Sequence, residues 1–185
     1  MIETQRLLIR LAQDEDVHEV IRYYRENREH LQPFSPTYPA DFLDDATWQE
    51  QVRIRAPEFA AGAGLRAFIF PRATPSRVIG NLNLTQVDRG SFQSCVLGYN
   101  LAAGEQGRGY MTEAVRGAVA FAFGTWKLHR VAANYMPRNT RSAAVLERCG
   151  FKIEGHAPAY LLIDGRWEDH VLTAITNPSW SPSTP

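Results

Sequence analysis

Apolar and polar residues follow two different periods along the chain, and the period changes near residue 110. Apolar residues alternate with polar ones, as in strands, over residues 4–11, 65–70, 77–87 and 92–101. They recur every three or four positions, as in helices, over residues 16–28, 43–55, 112–126 and 140–149. Further strands are predicted at 129–136, 152–156, 160–163 and 166–175. This order of elements predicts one mixed α/β (α+β) domain around a largely antiparallel sheet.

Capping and turn residues indicate where the elements end. Asp16 and Glu19 have the spacing of a capping box at the start of the first helix, and Pro57 is expected to end or kink the second. Gly98, inside a predicted strand, indicates a bulge or a close approach of another backbone. Residues 31–40 contain three prolines and two aromatic residues and predict a stiff, irregular loop.

No internal repeat or shift in composition marks a linker within the chain. We therefore predict one domain over residues 1–176, followed by a C-terminal tail at 177–185. The last ten residues contain three prolines, and we expect them to fray.

The composition is that of a globular protein, since 44% of the 185 residues are hydrophobic and 22% are charged. Twenty basic and twenty acidic residues cancel, which excludes an evenly basic nucleic-acid coat protein but not a local charged patch. No apolar run approaches the roughly 20 residues of a membrane span, and the N-terminus lacks the pattern of a secretion signal. Cys95 and Cys149 are too few for a disulfide framework or a zinc site. We expect a cytoplasmic protein without a metal, a membrane or a sequence-specific nucleic-acid partner; a monomer is the default, with a dimer as the alternative.

A glycine-containing segment connects the strand that ends at Leu101 to the helix that starts near Thr112. With Gly107 and Gly109, it presents backbone N–H groups and the positive end of a helix dipole, which suit a phosphate. A P-loop is excluded because Tyr110, not lysine, follows Gly109. A dinucleotide fingerprint is incomplete because Thr112 stands at its third glycine. The alternative is that both glycines only form a tight connection.

The segment Gln106-x-x-Gly109-x-Met111 resembles the Gln/Arg-x-x-Gly-x-Gly/Ala pyrophosphate loop of the GCN5-related N-acetyltransferases (GNAT). Met111 departs from that pattern, at little cost if only its backbone faces the phosphate. Over nearly its whole length the chain resembles the ribosomal-protein-alanine branch of this family, the RimJ type. The stretches that carry this resemblance are 89–92, 112–115, 129–131, 133–137, 139–142, 149–155, 160–165, 169–172 and 177–180.

The resemblance implies direct transfer of an acetyl group from acetyl-CoA to an amine, without an acyl-enzyme. It also implies the GNAT fold, in which helices flank the sheet and the two central strands, here 92–101 and 129–136, splay apart around the pantetheine arm. The N–H groups around Tyr99 and Leu101 would bind the amides of the arm and the thioester carbonyl. The residues implied for acetyl-CoA binding are Tyr99, Leu101, Gln106, Gly107, Arg108, Gly109, Tyr110, Met111, Thr112, Asn139 and Ser142.

The catalytic residues are the least complete part of this resemblance. Relatives have a glutamate near Val96, a tyrosine near Leu146 or a glutamate at Leu161, and this chain has none of them. Ser142 matches the serine of the branch; it can donate to the departing thiolate, or cap the start of a helix, or do both. Glu154 is the best carboxylate near the expected cleft, unless it pairs locally at the end of its strand.

The acceptor contacts are expected only from positions in the family, and they are Phe34, Tyr38, Asn83, Asn134 and Tyr135. Phe34 and Tyr38 either form a rigid wall over the acceptor groove or pack inward beneath a surface loop. Asp169 and His170 are excluded as a catalytic dyad because neighbours on a strand face opposite sides.

The missing base bears on the choice of acceptor. An α-amine with a pKa near 7.7–8.0 is about one-sixth neutral at pH 7, whereas a lysine at about 10.4 is neutral roughly once in 2,500. We therefore expect the acceptor to be a protein N-terminus, alanine in a small-subunit ribosomal protein, as the resemblance implies. The alternatives are a small amine such as an antibiotic or a polyamine, and a ribosome-assembly factor of the same fold whose catalysis is dispensable.

Charge is distributed unevenly along the chain. Residues 1–50 carry five arginines against eleven acidic residues, a net charge of −6, and residues 105–148 carry seven basic against three acidic residues, a net charge of +4. The basic segment contains the proposed pyrophosphate loop, and the acidic one suits a basic protein tail.

Overall fold

A computed structural model describes residues 1–182, and its central feature is an eight-stranded sheet flanked by five helices. The strands are β1 (Ile2–Glu3), β2 (Leu7–Arg10), β3 (Leu65–Pro71), β4 (Gly80–Asp88), β5 (Ser94–Leu101), β6 (Arg130–Tyr135), β7 (Lys152–Ile163) and β8 (Arg166–Thr176). The helices are α1 (Val17–Glu26), α2 (Arg28–Leu31), α3 (Asp45–Ala60), α4 (Tyr110–Gly124) and α5 (Thr140–Arg148). The predicted mixed, mostly antiparallel sheet is confirmed.

The order of the strands places the only parallel pair of the described sheet at its centre. The order is β1-β2-β3-β4-β5-β6-β8-β7, and β5 and β6 are parallel while all other neighbours are antiparallel. No helix within residues 1–182 is long and apolar enough to cross a membrane.

The two central strands separate after three paired residues. Residues 94–96 of β5 pair with residues 130–132 of β6, and the pairing then stops. On the outer side of each strand the ladder continues, so that β5 stays paired with β4 as far as Leu101 and β6 with β8 as far as Tyr135. The implied splay is thereby confirmed, and it leaves a V-shaped cleft between the second halves of β5 and β6.

Each face of the sheet is covered by its own apolar cluster. Along β3, Ala67 and Ile69 belong to the cluster under α4, whereas Phe68 and Phe70 belong to the cluster under α1 and α3. Alternate residues of a strand point to opposite faces, so β3 is buried on both sides. The second cluster is aromatic, and in it the Tyr24 and Trp48 rings stack with centroids 5.3 Å apart.

Two local predictions in the first part of the chain are wrong. The single strand predicted over 4–11 is a short hairpin, in which Ile2 pairs with Ile9 across a turn. The predicted capping box is absent because Arg10 and the Gln13 N–H bind the Asp16 carboxylate, at 2.5 and 2.8 Å. The side chain that was expected to cap therefore closes the preceding turn instead.

Three further local features differ from the predictions. Pro57 lies inside α3, whose last turn closes with the Ala61 N–H donating to the Pro57 carbonyl at 3.0 Å. Gly98 pairs with Asn83 in unbroken register, and the bulge of β4 lies instead between Thr85 and Asp88. The strands predicted at 152–156 and 160–163 are one irregular strand, β7.

The beginning of the C-terminal tail is anchored rather than frayed. The Asn177 N–H donates to the His129 carbonyl at 2.7 Å, and the indole N–H of Trp180 donates to the Lys127 carbonyl at 2.8 Å. These bonds hold the segment after β8 against the start of β6. The last part of the expected tail, residues 183–185, lies outside the described residues.

Glu113 ties the N-terminal hairpin to the first turn of α4. Its carboxylate accepts hydrogen bonds from the Thr4 hydroxyl (2.6 Å), the Arg6 N–H (2.8 Å) and the Arg6 Nε (2.7 Å). Burial opposes ionisation of Glu113, but these hydrogen bonds outweigh it and lower the pKa of the carboxyl below its ordinary value. A negative charge is also favourable at the N-terminus of a helix.

We expect Glu113→Gln to lower the free energy of unfolding at neutral pH by about 1–3 kcal/mol, because charge-assisted hydrogen bonds are lost. Since the folded pKa is depressed, this stability is present above the unfolded pKa of about 4.3 and is lost as the pH falls through the folded value. Urea unfolding at pH 7 and near pH 3 measures the effect, and the variant should approach wild type at the lower pH. The exposed Glu147, changed to Gln, is the control. An equal loss at both pH values would mean that packing, not charge, is responsible.

Candidate active site

The glycine segment leads into α4 through two residues in the left-handed backbone region. Gly107 has φ +76° and Gly109, the N-cap of α4, has φ +77°. Other residues adopt this conformation only at a cost, which explains why glycine occupies both positions. The segment therefore turns sharply into the helix without side-chain bulk.

The backbone N–H groups at this turn are available to a ligand. Within residues 1–182, the N–H groups from Gly107 to Thr112 have no hydrogen-bond acceptor, and no side chain caps α4. The Met111 side chain is buried in the apolar cluster under α4, so only its backbone faces the turn. The methionine at position 111 therefore does not obstruct the N–H groups of the turn. The positive end of the helix dipole at this turn suits an anion.

Charged and polar side chains surround this turn. Arg108 pairs with the buried Glu105 carboxylate at 3.1 Å, and Arg6 donates to the Arg108 carbonyl at 3.0 Å. On the opposite side, the Gln106 amide oxygen accepts from Arg141 at 2.6 Å, and its nitrogen lies 2.8 Å from His30 Nε2. His30 and Arg141 were missed by the sequence analysis because they lie on α2 and α5, far from the loop in the chain.

Tyr99 of β5 and Ser142 of α5 are in contact. The Tyr99 hydroxyl of β5 lies 2.8 Å from Ser142 Oγ in the first turn of α5, and burial raises the pKa of Tyr99 although the bond to Ser142 opposes this. The Asn139 side chain accepts the Ser142 N–H at 3.1 Å and so caps α5. Asn139 thus supplies the side-chain cap, and the Ser142 hydroxyl bonds Tyr99.

The remaining residues expected near the cleft occupy two faces of the sheet. Tyr135 packs against the cluster under α4, on the same face as Tyr99. Asn83 and Asn134 lie on the opposite face, because their strand neighbours belong to that cluster. Leu101 is buried at the end of β5, opposite Gly80.

Phe34 and Tyr38, the two residues expected to form a wall over the acceptor groove, have different environments. Tyr38 packs inward, stacked on Phe42 with ring centroids 4.1 Å apart and edge-on to Tyr24 at 5.9 Å. Phe34 remains 40% exposed, with the Arg138 guanidinium 5.4 Å from its ring centre. Tyr38 therefore packs inward beneath the loop, which is the second of the two arrangements considered. Of these two residues, only Phe34 lies at the open surface.

Glu154 does not join the residues of the cleft. Its carboxylate pairs with the guanidinium of Arg130, the first residue of β6. Arg130 lies opposite Ser94, where β5 and β6 are still paired. Of the two alternatives for Glu154, the local ion pair at the end of its strand is the one observed.

A set of hydrogen bonds that the sequence analysis missed joins the β7–β8 hairpin to residues 32–35. The Asp164 N–H, at the tip of the β7–β8 hairpin, donates to the Ser35 carbonyl at 3.0 Å, and its carboxylate accepts from Gln32 at 2.7 Å. Arg138, just after β6, donates to the Pro33 carbonyl at 3.1 Å and pairs with Glu168 at 2.8 Å. The hairpin tip and the 32–35 segment thus meet beyond the open end of β6.

Comparison with known proteins places this arrangement in a family. The profile of the acetyltransferase (GNAT) domain matches residues 6–152. The chain belongs to the GNAT family.

Relatives of this GNAT chain match it over nearly its full length. The [ribosomal protein uS5]-alanine N-acetyltransferase of Escherichia coli (strain K12) is 42% identical over 183 residues, which cover 98% of this chain and 93% of that protein. The crystal structure of the ribosomal-protein-S5-alanine acetyltransferase from Vibrio fischeri has a TM-score of 0.91 and 32% identity, covering 97% and 98% of the two chains. Mycobacterium smegmatis RimJ in complex with CoA-disulfide has a TM-score of 0.86 and 29% identity, covering 96% and 85%.

GNAT enzymes use acetyl-CoA, and the residues described above fit its two chemically different parts. The free N–H groups of the glycine turn, flanked by the exposed Arg108 and Arg141, suit a diphosphate. The separated halves of β5 and β6 leave backbone groups that suit the amides of an extended arm. Among the described residues, no group of three or more His, Cys, Asp or Glu side chains is placed to hold a metal ion.

We expect Gly109→Ala to weaken CoA binding at least about tenfold, because a side chain at φ +77° strains the turn by about 1–3 kcal/mol and misdirects its N–H groups. Isothermal titration calorimetry with CoA measures the change. Gly104→Ala is the matched control, since a Cβ there meets no atom within 4 Å and its φ is not left-handed. Equal CoA affinities for both variants and wild type would exclude the glycine turn as the binding site.

Proposed function

We propose that this protein transfers the acetyl group of acetyl-CoA to the N-terminal α-amine of a small-subunit ribosomal protein, the alanine of uS5. The observation that carries the proposal is the 42% identity, over 98% of the chain, to an enzyme named for that substrate. The reaction would take place in the cytoplasm, with the protein acting as a monomer and without direct sequence-specific contact to nucleic acid.

The acetyl-CoA site of this proposal combines the turn and the cleft. The N–H groups of the turn would hold the diphosphate, and the pantetheine arm would lie between the separated halves of β5 and β6. The thioester would then be near Tyr99 and Ser142, whose hydroxyl groups are in contact and join β5 to α5. The residues assigned to acetyl-CoA are Tyr99, Leu101, Gln106, Gly107, Arg108, Gly109, Tyr110, Met111, Thr112, Asn139 and Ser142.

The polarity of the cleft supports an α-amine as acceptor. Tyr99, Asn134, Tyr135 and Ser142, the residues assigned to the cleft, include no carboxylate, and the carboxylate of Glu154 is bound to Arg130. An α-amine is about one-sixth neutral at pH 7 and needs only water to take its proton, whereas a lysine would need a strong base. This chemistry favours a protein N-terminus over an internal lysine.

The bridge between the hairpin tip and the 32–35 segment also supports a chain end as acceptor. Backbone and side-chain hydrogen bonds join Ser35 and Gln32 to Asp164, so the two walls are connected rather than open. A connected wall of this kind favours an acceptor that presents a narrow chain end over one that presents a broad folded surface. Phe34, Asn83, Asn134 and Tyr135 are the acceptor contacts that we propose.

The charge of the N-terminal part of the chain supports a basic acceptor segment. Four exposed acidic residues follow α1 and precede or begin α3, and they are Glu29, Asp41, Asp44 and Asp45. The exposed Arg25 and Arg28 offset part of this charge, but residues 1–50 keep a net charge of −6. A net negative charge favours a cationic protein segment as the partner.

The proposal predicts acetylation at one position of one ribosomal protein. Purified, unacetylated small-subunit proteins are incubated with the enzyme and acetyl-CoA, digested and analysed by mass spectrometry. One acetyl group should appear on the N-terminal alanine peptide of uS5 and on no internal lysine peptide. A synthetic copy of that peptide with a blocked N-terminus and a lysine is the control and should not react.

Other outcomes would contradict the proposal in different ways. Equal rates on internal lysines and N-terminal alanine would remove the argument from amine ionisation. Acetylation of small amines alone would favour a small-molecule enzyme. If no protein or amine is acetylated while CoA still binds, a role in ribosome assembly would replace catalysis.

A further inference from the structure

The Tyr99 side chain links β5 to α5 at a position where β5 is no longer paired with β6. Tyr99 lies three residues beyond Val96, the last residue of β5 that pairs with β6. Its hydroxyl lies 2.8 Å from Ser142 Oγ on α5. The Ser142 carbonyl is a more distant second acceptor, at 3.4 Å. Tyr99 is therefore the residue of β5 that contacts the Ser142 hydroxyl.

The chemistry of the two hydroxyls sets the direction of this hydrogen bond. A phenol is a much stronger donor than an aliphatic hydroxyl, and a serine oxygen has two lone pairs with which to accept. Burial raises the pKa of Tyr99, so its proton stays in place at neutral pH. Tyr99 therefore donates to Ser142 Oγ, and the proton of Ser142 remains available to another acceptor.

The backbone of Ser142 is fixed at the same time. Its N–H donates to the Asn139 side chain at 3.1 Å, in the first turn of α5. With the backbone held by Asn139 and the hydroxyl oxygen held by Tyr99, the remaining freedom of Ser142 is the direction of its own proton.

We propose that Tyr99 is a positioning residue for acetyl transfer, which holds the Ser142 hydroxyl so that its proton points to the sulfur of the departing thiolate. The inference rests on the proposed acetyl transfer and assigns a role within it that the resemblance did not supply. Hydrogen bonds in series polarise one another, so the bond from Tyr99 also makes Ser142 a stronger donor.

The proposed step balances without ionising either residue. The amine nitrogen forms a bond to the acetyl carbon, the carbon–sulfur bond breaks, and the nitrogen gives one proton to water. The sulfur leaves as a thiolate, stabilised by the hydrogen bond from Ser142, and takes its proton from water after release. Tyr99 and Ser142 end the cycle with the protons they began with.

The test compares Tyr99→Phe, Ser142→Ala and the double variant in acetyl transfer to a peptide with an N-terminal alanine. We expect Tyr99→Phe to lower kcat about 5- to 10-fold, as for loss of one supporting hydrogen bond, with KM for acetyl-CoA unchanged. Ser142→Ala should cost about 100-fold, and the double variant should equal Ser142→Ala because Tyr99 acts only through Ser142. Tyr23→Phe is the matched control, since it removes a 2.6 Å bond to Asn100 on the same strand.

A second measurement needs no acceptor and so separates this inference from the proposed substrate. The pKa of the CoA thiol is measured in the binary complex from its thiolate absorbance. It should be lower than in free CoA for wild type and Tyr23→Phe, and closer to free CoA for Tyr99→Phe and Ser142→Ala. A wild-type enzyme that gives this thiol shift but does not acetylate the peptide would contradict the proposed function and leave the role of Tyr99 standing.

Three results would overturn the inference. One is an unchanged thiol pKa and kcat in Tyr99→Phe. Another is a kcat loss that is additive with that of Ser142→Ala, which would show that Tyr99 acts independently of the serine. The third is a loss confined to KM or to thermal stability, which would make Tyr99 a packing residue like Tyr23.

Discussion

The separation of β5 from β6 is the constraint on which the rest of the site depends. Three residue pairs, from Ser94 and Arg130 onward, fix the two strands side by side, and beyond them each strand follows its outer neighbour. Backbone groups in the sheet centre normally bond a neighbouring strand, and a buried group without a partner is costly. The cleft therefore provides hydrogen-bonding backbone that an extended, amide-containing molecule can satisfy.

Packing on both faces keeps the separated strands in place. On the face of α1, the Tyr23 hydroxyl bonds the Asn100 side chain of β5 at 2.6 Å, and Asn81 of β4 bonds the Tyr24 hydroxyl at 2.6 Å. On the other face, α4 packs against the sheet and brings its N-terminus to the end of β5. The glycine turn and the cleft thus share one rigid support, as the proposed placement of the diphosphate and thioester ends of acetyl-CoA requires.

The sequence predicts those parts of the molecule that depend on near neighbours in the chain. The periods of apolar residues locate the helices and most of the strands, and the glycines at 107 and 109 locate the sharp turn into α4. Long-range choices of partner are different, because a carboxylate binds whichever cation the fold brings close. Asp16 forms an ion pair with Arg10, and Glu154 forms one with Arg130. No local pattern in the sequence distinguishes such a paired carboxylate from a helix cap or a catalytic base. The Tyr99–Ser142 contact spans 43 positions and is likewise visible only in the fold.

We propose that the glycine turn and the separated half of β5 together form the acetyl-CoA site. Amide hydrogen exchange with and without saturating CoA tests it directly, because free N–H groups that bond a ligand become protected. We expect slower exchange at two separate segments, residues 107–112 and 97–101, and little change in the groove between residues 10–15 and α3. Protection of that groove, or CoA binding that leaves both segments unchanged, would show that CoA binds elsewhere on the protein.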